Sequence, residues 1–257
     1  GVVVTRPAHQ AEPLCRALTA LGARVTRFPT IAIAPPADGQ ALTPALQRLD
    51  GAAWAVFVSP NAVHALMRRL HEHGLSWPPG LQTAAVGPGT AAALREHGVS
   101  VTCVPASGAD AAALLAEPGF QPAAGERVVL VKGEGGRAVL GEGLAARGID
   151  GTELAVYRRV KPDTDPAVLD AARSGGALDV AVVTSVEALE NLVAMAGPDR
   201  RGYVVDMGLV AMSRRVADRG SELGFGDGIV IPSGTGPQAL AEAVTRWAAD
   251  NRRTNKP

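Results

Sequence analysis

The sequence predicts an α/β protein of two similar lobes, each a parallel sheet flanked by helices. Short β-branched runs alternate with amphipathic helical patterns along the 257 residues, which is typical of parallel strands buried on both faces. Hydrophobic residues make up 47% of the chain and charged residues 19%, so a sizeable core can form. The second half of the chain also repeats the pattern of the first half at a constant spacing.

In the first half, five short apolar runs are expected to be strands, with helical patterns between them. Gly22, Gly74 and Gly98 each follow a helical stretch, where a left-handed C-terminal cap favours a residue without a Cβ. The predicted strands are 2–5, 25–28, 54–58, 83–86 and 99–104, and the predicted helices are 12–21, 61–71 and 90–96.

The second half presents the same order of strands and helices. Ser185 lies 126 positions after Ser59, and Lys132 lies 126 positions after Arg6. A constant spacing in separate motifs indicates two homologous lobes. The predicted strands of this half are 127–131, 179–184, 209–212 and 228–231, and a helix is predicted at 139–147.

Two further segments, 30–36 and 154–162, alternate apolar with polar or small residues and contain proline near their ends. Proline ends a strand or keeps it at the edge of a sheet. We therefore expect these segments to pair as a two-stranded β-ladder that acts as a hinge between the lobes. This pairing makes lobe 1 discontinuous, with residues 1–34 plus 163–257, and leaves residues 37–153 as lobe 2.

Most predicted strands end in a small or hydroxyl-bearing residue directly before a helix. Ligands of open parallel sheets bind beyond the carboxyl ends of the strands, where helix N-termini attract anions. For any single Ser or Thr, capping of its own helix is the simpler explanation. Several such turns facing one cleft between the lobes nevertheless favour a distributed anion site. These turns are 5–7, 59–61, 87–90, 132–137 and 184–185.

Charge, aromatic content and hydropathy narrow the function classes. Twenty-five basic residues balance 25 acidic ones and only 4% of residues are aromatic, which argues against nucleic-acid binding. No apolar run approaches the ~18 residues of a membrane span. No charged-then-apolar leader precedes Gly1, and Cys15 and Cys103 are expected to be buried thiols, so we expect a cytoplasmic protein.

The sequence offers no strong cofactor or metal motif. His71 and His73 lie two apart at a helix end and lack a further ligand at metal spacing. Three turns match the glycine fingerprint of dinucleotide sites, but the match is weak. Glu153 stands at the start of its predicted strand, the wrong end for a ribose contact. We therefore expect neither a metal nor a cofactor.

Several blocks, in their order and spacing, resemble the uroporphyrinogen-III synthase family over nearly the whole chain. The blocks are Val4-Thr-Arg-Pro7, Phe57-Val-Ser-Pro-Asn-Ala-Val63, Ala85-Val-Gly-Pro-Gly-Thr90, Gly133-Glu-Gly-Gly-Arg137, Val156-Tyr-Arg-Arg159, Val183-Thr-Ser185 and Pro237-Gln-Ala-Leu240. The resemblance implies closure of linear hydroxymethylbilane to uroporphyrinogen III, with inversion of ring D and loss of water, in heme biosynthesis. It implies a cofactor-independent hydro-lyase that binds this substrate and product.

The resemblance also implies site residues. Tyr157 matches the family's tyrosine, whose phenol assists departure of the hydroxyl; packing of the ring in the hinge strand is the alternative. Other matching residues are implied to bind the substrate carboxylates, although a surface ion pair explains each basic residue as well. The implied substrate-binding residues are Arg6, Ser59, Asn61, Gly87, Thr90, Lys132, Gly133, Arg137, Thr184, Ser185, Ser213, Arg214 and Arg215.

One stretch departs from the family pattern. Where a Gly-x-x-Thr turn is expected in lobe 1, the chain has Ser213, two arginines and Val216, so both the glycine and the hydroxyl are lost. Either Arg214 and Arg215 bind carboxylates instead, or the protein is a non-catalytic tetrapyrrole- or anion-sensing module, such as one from a regulator. A two-lobed solute-binding protein is disfavoured because no export signal is present. We expect a monomer.

Overall fold

The computed structural model describes residues 1–37, 46–135, 138–226 and 228–254 of the chain. The chain divides into two units. Unit 1 comprises Gly1–Ala32 and Val160–Pro257, and unit 2 comprises Ile33–Arg159. The chain therefore enters unit 2 once and leaves it once, so unit 2 lies in sequence between the two parts of unit 1.

The secondary structure of the described residues follows the predicted alternation. The strands are β1 Val2–Val4, β2 Val25–Arg27, β3 Ala32–Ala34, β4 Trp54–Phe57, β5 Gln82–Ala85, β6 Arg127–Gly133, β7 Asp150–Val160, β8 Val180–Val183, β9 Gly208–Ala211 and β10 Ile229–Val230. The α-helices are α1 Ala8–Ala20, α2 Pro60–Glu72, α3 Pro88–Glu96, α4 Ala111–Ala116, α5 Val139–Ala145, α6 Ala167–Ser174, α7 Val186–Ala196, α8 Pro198–Val205, α9 Arg214–Leu223 and α10 Pro237–Thr254, with a 3-10 turn at Gln47–Leu49. None of these helices has the length and apolar character that crossing a bilayer requires.

Each unit contains one five-stranded sheet, in the order β10-β9-β8-β1-β2 in unit 1 and β3-β7-β6-β4-β5 in unit 2. The pairs β1–β2, β1–β8, β8–β9 and β9–β10 are parallel in unit 1, as are β4–β5, β4–β6 and β6–β7 in unit 2. The predicted pair of parallel sheets is therefore confirmed.

Helices cover both faces of each sheet, which explains why the strands are continuous apolar runs. In unit 1, Leu189 of α7 and Val216 of α9 pack on one face, and Leu14 of α1 and Leu240 of α10 pack on the other. In unit 2, α2 and α3 cover one face, whereas α4 and α5 cover the other. Cys15 and Cys103 are buried free thiols, as predicted.

Four strands of each sheet share one order, as expected for a duplicated sequence, and the fifth strand lies at opposite edges of the two sheets. Strands β8 and β9 begin and end 126 positions after β4 and β5. Helices α7 and α9 likewise begin 126 positions after α2 and α3. The run β5-β4-β6-β7 in unit 2 thus corresponds to β9-β8-β1-β2 in unit 1. This correspondence confirms that the chain contains two similar lobes.

The prediction of a strand at 99–104 is wrong. This segment makes a single parallel bridge, between Cys103 and Ala84, where the backbone N–H of Ala85 donates to the Cys103 carbonyl at 3.0 Å. Pro105 follows closely and cannot donate a backbone hydrogen bond, so the pairing does not continue.

The two segments predicted to pair with each other, around 30–36 and 154–162, lie side by side as β3 and β7. The Nε of Arg158 donates to the carbonyl of Pro35 at 3.1 Å. Strand β7 has 11 residues and also pairs with β6 from Asp150 to Tyr157. Because β7 pairs with β6 as well as with β3, it brings Tyr157 next to the end of β6.

Helices α6 and α8 of unit 1 are joined by a network of polar side chains around Asp170. Arg200 donates from Nη2 to Asp170 Oδ2 at 2.7 Å, and the Tyr203 hydroxyl donates to Oδ1 at 2.6 Å. Arg173 lies over the Tyr203 ring, with Cζ 4.5 Å from the ring centroid. The hydrogen bonds from Arg200 and Tyr203 lower the pKa of Asp170, whereas burial and the bond to Asp170 raise the pKa of Tyr203 to about 12.

Asp170→Asn is expected to lower the melting temperature at neutral pH. Since folding lowers the pKa of Asp170, the stabilisation is present above its unfolded pKa of about 3.9 and is lost as the pH falls through the folded value. Thermal unfolding of both proteins between pH 7 and pH 3 checks this: the difference in melting temperature should shrink below about pH 4. Asp163→Asn, at an exposed position, is the control. A difference that stays constant with pH would contradict the assignment.

Candidate functional site

Unit 2 contains a cavity of about 260 Å³ at the carboxyl ends of β4 and β6 and beside β7. Gly133, Gly135 and several aliphatic side chains form part of its wall. Its charged and hydroxyl-bearing lining residues are Ser59, Asp110, Lys132, Glu153, Tyr157 and Arg159. Polar groups thus converge on a partly open cavity at the strand ends, where ligands of parallel sheets bind.

Tyr157 is packed closely against the end of the neighbouring strand. Its side chain is buried, with 4% of the residue exposed, and it pairs in register with Gly133 of β6. A Cβ built on Gly133 would lie 2.6 Å from Cζ of the ring, so only glycine leaves room for the ring in this position. The backbone N–H of Glu134 also donates to the Tyr157 carbonyl at 2.8 Å. The ring position is therefore fixed by the backbone of two strands.

Ser59 connects the start of α2 to this tyrosine. It is the N-cap of the helix, and its Oγ accepts a hydrogen bond from the backbone N–H of Ala62 at 3.2 Å. The same oxygen lies 3.2 Å from the hydroxyl oxygen of Tyr157. The sequence left two interpretations of Ser59 open, a helix cap or a site residue. In the structure Ser59 caps α2 and also lines the cavity.

Lys132 lies near the end of β6 with a carboxylate partner. Its Nζ is 2.8 Å from Oε1 of Glu153, and 12% of the lysine side chain is exposed. Glu153 is the fourth residue of β7 and not its first, so it reaches the cavity instead of the opposite end of the sheet. The cavity therefore contains a fixed positive charge whose partner is half exposed.

The start of α3 has no part in the described lining of this cavity. Gly87 is the N-cap of the helix, and a Cβ there would lie 2.9 Å from that of Ala109. Thr90 is 4% exposed in the first turn of α3. Asn61, the second residue of α2, is half-buried beside its N-cap. Arg137, a predicted carboxylate contact, lies outside the described residues.

In unit 1, Thr184 and Ser185 follow β8 in the same way that residues 58 and 59 follow β4. Ser185 caps α7, with Oγ accepting from the backbone N–H of Ala188 at 3.1 Å. Arg6 follows β1 and is half-buried, and this burial lowers the pKa of its guanidinium. These groups lie at the carboxyl ends of adjacent parallel strands.

The divergent turn 213–216 starts α9. Ser213 is the N-cap by position, but its side chain makes no capping hydrogen bond. Arg214 and Arg215 are exposed, and Arg214 Nε lies 3.6 Å from Oδ1 of Asp218, one turn further along the helix. Val216, which replaces the expected threonine, is 2% exposed and belongs to the apolar core of unit 1. Where the family pattern has a threonine hydroxyl, Val216 thus contributes an apolar side chain to the core.

Three charged lining residues were not predicted as site residues. Glu153 and Arg159 share a face of β7 with Tyr157, because side chains alternate along a strand, so this alternation could have identified them. Asp110 caps α4, with Oδ1 accepting from the backbone N–H of Ala113 at 2.9 Å. An aspartate before an apolar helical run is a sequence signal for such a cap.

Comparison with known proteins identifies the family. A family model described as uroporphyrinogen-III synthase HemD matches residues 12–242. The chain belongs to the uroporphyrinogen-III synthase family. Uroporphyrinogen-III synthase of Escherichia coli strain K12 is 29% identical over 246 residues, covering 95% of this chain and 99% of the relative. The same enzyme of Salmonella typhimurium strain LT2 is 31% identical over 246 residues, with the same coverage.

Solved structures of family members share the fold. A mutant uroporphyrinogen III synthase from the extremely thermophilic bacterium Thermus thermophilus superposes with a TM-score of 0.61 at 19% identity, over 97% of this chain and 98% of that chain. The enzyme from Helicobacter pylori 26695 gives a TM-score of 0.61 at 15% identity, over 95% of this chain and 98% of that chain. The resemblance drawn from the sequence motifs, and the predicted fold class, are therefore confirmed.

Gly133→Ala is expected to displace the ring of Tyr157, because the new Cβ would lie 2.6 Å from Cζ. Overpacking of this kind costs about 1–3 kcal/mol. Denaturant unfolding measures the loss of stability, and near-ultraviolet circular dichroism reports the ring. Gly202→Ala in α8 is the control, since its Cβ would meet nothing within 4 Å and helical alanine gains about 0.5–1 kcal/mol over glycine. Equal stability of Gly133→Ala and the wild type would show that the ring is not held in this way.

Proposed function

We propose that the chain catalyses the closure of hydroxymethylbilane to uroporphyrinogen III, with inversion of ring D and loss of water. Membership of the uroporphyrinogen-III synthase family over residues 12–242 carries this proposal. The reaction is a hydro-lyase step in tetrapyrrole (heme) synthesis, and we propose that it uses no cofactor, in a cytoplasmic monomer that binds neither nucleic acid nor membrane.

The chemistry requires little of the protein besides an acid and a shaped site. An electron-rich pyrrole can itself expel the hydroxyl group as an azafulvenium-like intermediate forms, so a weak acid near the leaving oxygen suffices. We assign this role to Tyr157, the phenol in the cavity of unit 2. Holding the chain ends in the geometry of ring closure supplies several kcal/mol through proximity alone. A walled cavity also keeps water from the reactive intermediate.

The substrate is a polycarboxylate, so binding requires many donors. In unit 2 we assign carboxylate or positioning contacts to Ser59, Asn61, Gly87, Thr90, Lys132, Gly133 and Arg137. In unit 1 we assign them to Arg6, Thr184, Ser185, Ser213, Arg214 and Arg215. The half-buried guanidinium of Arg6 supports its assignment, since the described residues offer it no carboxylate within ion-pair distance. A desolvated cation of this kind gains from an anionic ligand.

Lys132 can exchange partners when substrate binds. Its ammonium is 2.8 Å from Glu153, whose side chain is 52% exposed and can turn to solvent. A substrate carboxylate would then replace Glu153 beside a largely buried cation. The resident ion pair keeps the empty cavity close to neutral.

The isomer formed from fresh hydroxymethylbilane tests the proposed function. The purified protein is expected to yield mainly the type III isomer, whereas spontaneous closure without ring inversion gives type I. Chromatographic separation of the oxidised products measures the ratio, with heat-denatured protein as the control. If type I alone forms at the spontaneous rate while product still binds, the protein is instead a tetrapyrrole-sensing member of the family.

Tyr157→Phe is expected to lower the rate of type III formation about 10²-fold, the lower range for removal of a general acid. Binding of the product should change little, because the ring and its packing against Gly133 are kept. Steady-state kinetics and product titration measure the two quantities. Tyr203→Phe, which removes a phenol hydroxyl from the other unit, is the control and should leave the rate of type III formation nearly unchanged. An unchanged rate in Tyr157→Phe would remove this residue from the mechanism.

A further inference from the structure

The contact between Ser59 and Tyr157 joins two hydroxyl groups of unit 2, and only one hydrogen can lie between them. The oxygens are 3.2 Å apart. If Tyr157 donates to Ser59, its proton is occupied and faces away from a ligand. If Ser59 donates to Tyr157, the phenol proton is free to point elsewhere in the cavity.

The position of Ser59 at the N-terminus of α2 favours the second arrangement. A serine hydroxyl has one donor and two acceptor sites, and one acceptor site is taken by the backbone N–H of Ala62. Its second acceptor site and its donor site are both open to the Tyr157 hydroxyl, whose oxygen is 3.2 Å away. A hydroxyl that accepts a hydrogen bond becomes a stronger donor, and the positive end of α2 increases this effect.

The duplicated copy shows that capping alone does not account for the contact. Ser185, 126 positions later, caps α7 with nearly the same geometry, at 3.1 Å from the backbone N–H of Ala188. The position that corresponds to Tyr157 in unit 1 is Ile31, which has no hydroxyl and is buried in the core. Both units therefore have a serine cap at this position, and within the described residues only Ser59 of the two serines contacts a phenol, that of Tyr157.

We propose that Ser59 is a positioning residue that donates its hydrogen bond to the Tyr157 oxygen and so directs the phenol proton toward bound substrate. This inference rests on the proposed function for its catalytic consequence, but not for the direction of the hydrogen bond. As the phenol gives up its proton, the Ser59 donor and the N-terminus of α2 stabilise the negative charge that develops on its oxygen. Asp110, Lys132, Glu153 and Arg159 are the charged groups that face the same cavity, and they are unchanged in the variants below.

The direction of the hydrogen bond can be read from the C–O stretching vibration of Tyr157. A phenol oxygen that accepts a hydrogen bond has a weakened C–O bond and a lower frequency, whereas a phenol that donates has a higher one. Subtracting the Raman spectrum of Tyr157→Phe from that of the wild type isolates this band in the full chain. In Ser59→Ala, isolated in the same way, the band is expected at a higher frequency. A band that moves lower, or does not move, overturns the proposal.

Matched variants separate this effect from the loss of a helix cap. Ser185→Ala removes the equivalent cap in unit 1 and should leave the Tyr157 band in place; an equal shift there overturns the proposal. Ser59→Thr keeps both the cap and the hydroxyl and should restore the wild-type band. Ser59→Gly removes the hydroxyl while keeping a residue tolerated at an N-cap, so it replaces Ser59→Ala if that variant does not fold.

Kinetics then test the catalytic consequence separately. Ser59→Ala is expected to lower kcat for type III formation about tenfold with KM nearly unchanged, and Ser59→Thr to recover most of it. In the Tyr157→Phe background, Ser59→Ala should have little further effect, because both residues act through one proton. Independent, multiplicative losses would overturn the positioning role. A chain without synthase activity would leave the vibrational result standing and would refute only the proposed function.

Discussion

The candidate site depends on the close approach of two backbones at Gly133. Strand β6 ends there against β7, and the absence of a Cβ lets the ring of Tyr157 lie over the strand end. That position in turn brings the phenol to the serine that caps α2. The absence of a Cβ at Gly133 thus allows the phenol to approach the serine hydroxyl at the positive end of α2. Lys132, one residue before the glycine, lines the same cavity together with its carboxylate partner Glu153.

The fold was predictable because its signals are local and repeated. Short, mainly apolar strands, glycines after helices and a constant 126-residue spacing all predicted two parallel sheets, and both are present. The predictions were wrong or incomplete where the structure of a segment depends on contacts with residues distant in sequence. Residues 99–104 have the composition of a strand but make one bridge beside Pro105. The start of β7 was not predictable either, because its first residues are held by pairing with β6 and not by a local sequence pattern.

The candidate site was predictable in part for the same reason. Ser59, Lys132, Gly133 and Tyr157 were named from strand ends and family motifs, and all four line one cavity. Glu153 was assigned to the wrong end of its strand, since the sequence does not reveal the register between β6 and β7. The two halves also differ in ways that spacing conceals: Thr90 of unit 2 corresponds to the core residue Val216 of unit 1. Duplication preserved the scaffold and let the side chains at its turns diverge.

The position of unit 2 between the two parts of unit 1 has a consequence for synthesis on the ribosome. All strands of the unit 2 sheet have been made once Val160 is added, so this unit can acquire its native pairings early. In the other sheet, in contrast, β1 can pair early with β2, but its second partner is β8, which aligns Val180 with Val2 and is made much later. Closing so long a loop is slow relative to local pairing. During synthesis the early β1–β2 pair therefore has an open edge along β1, which is exposed to aggregation until β8 has been made.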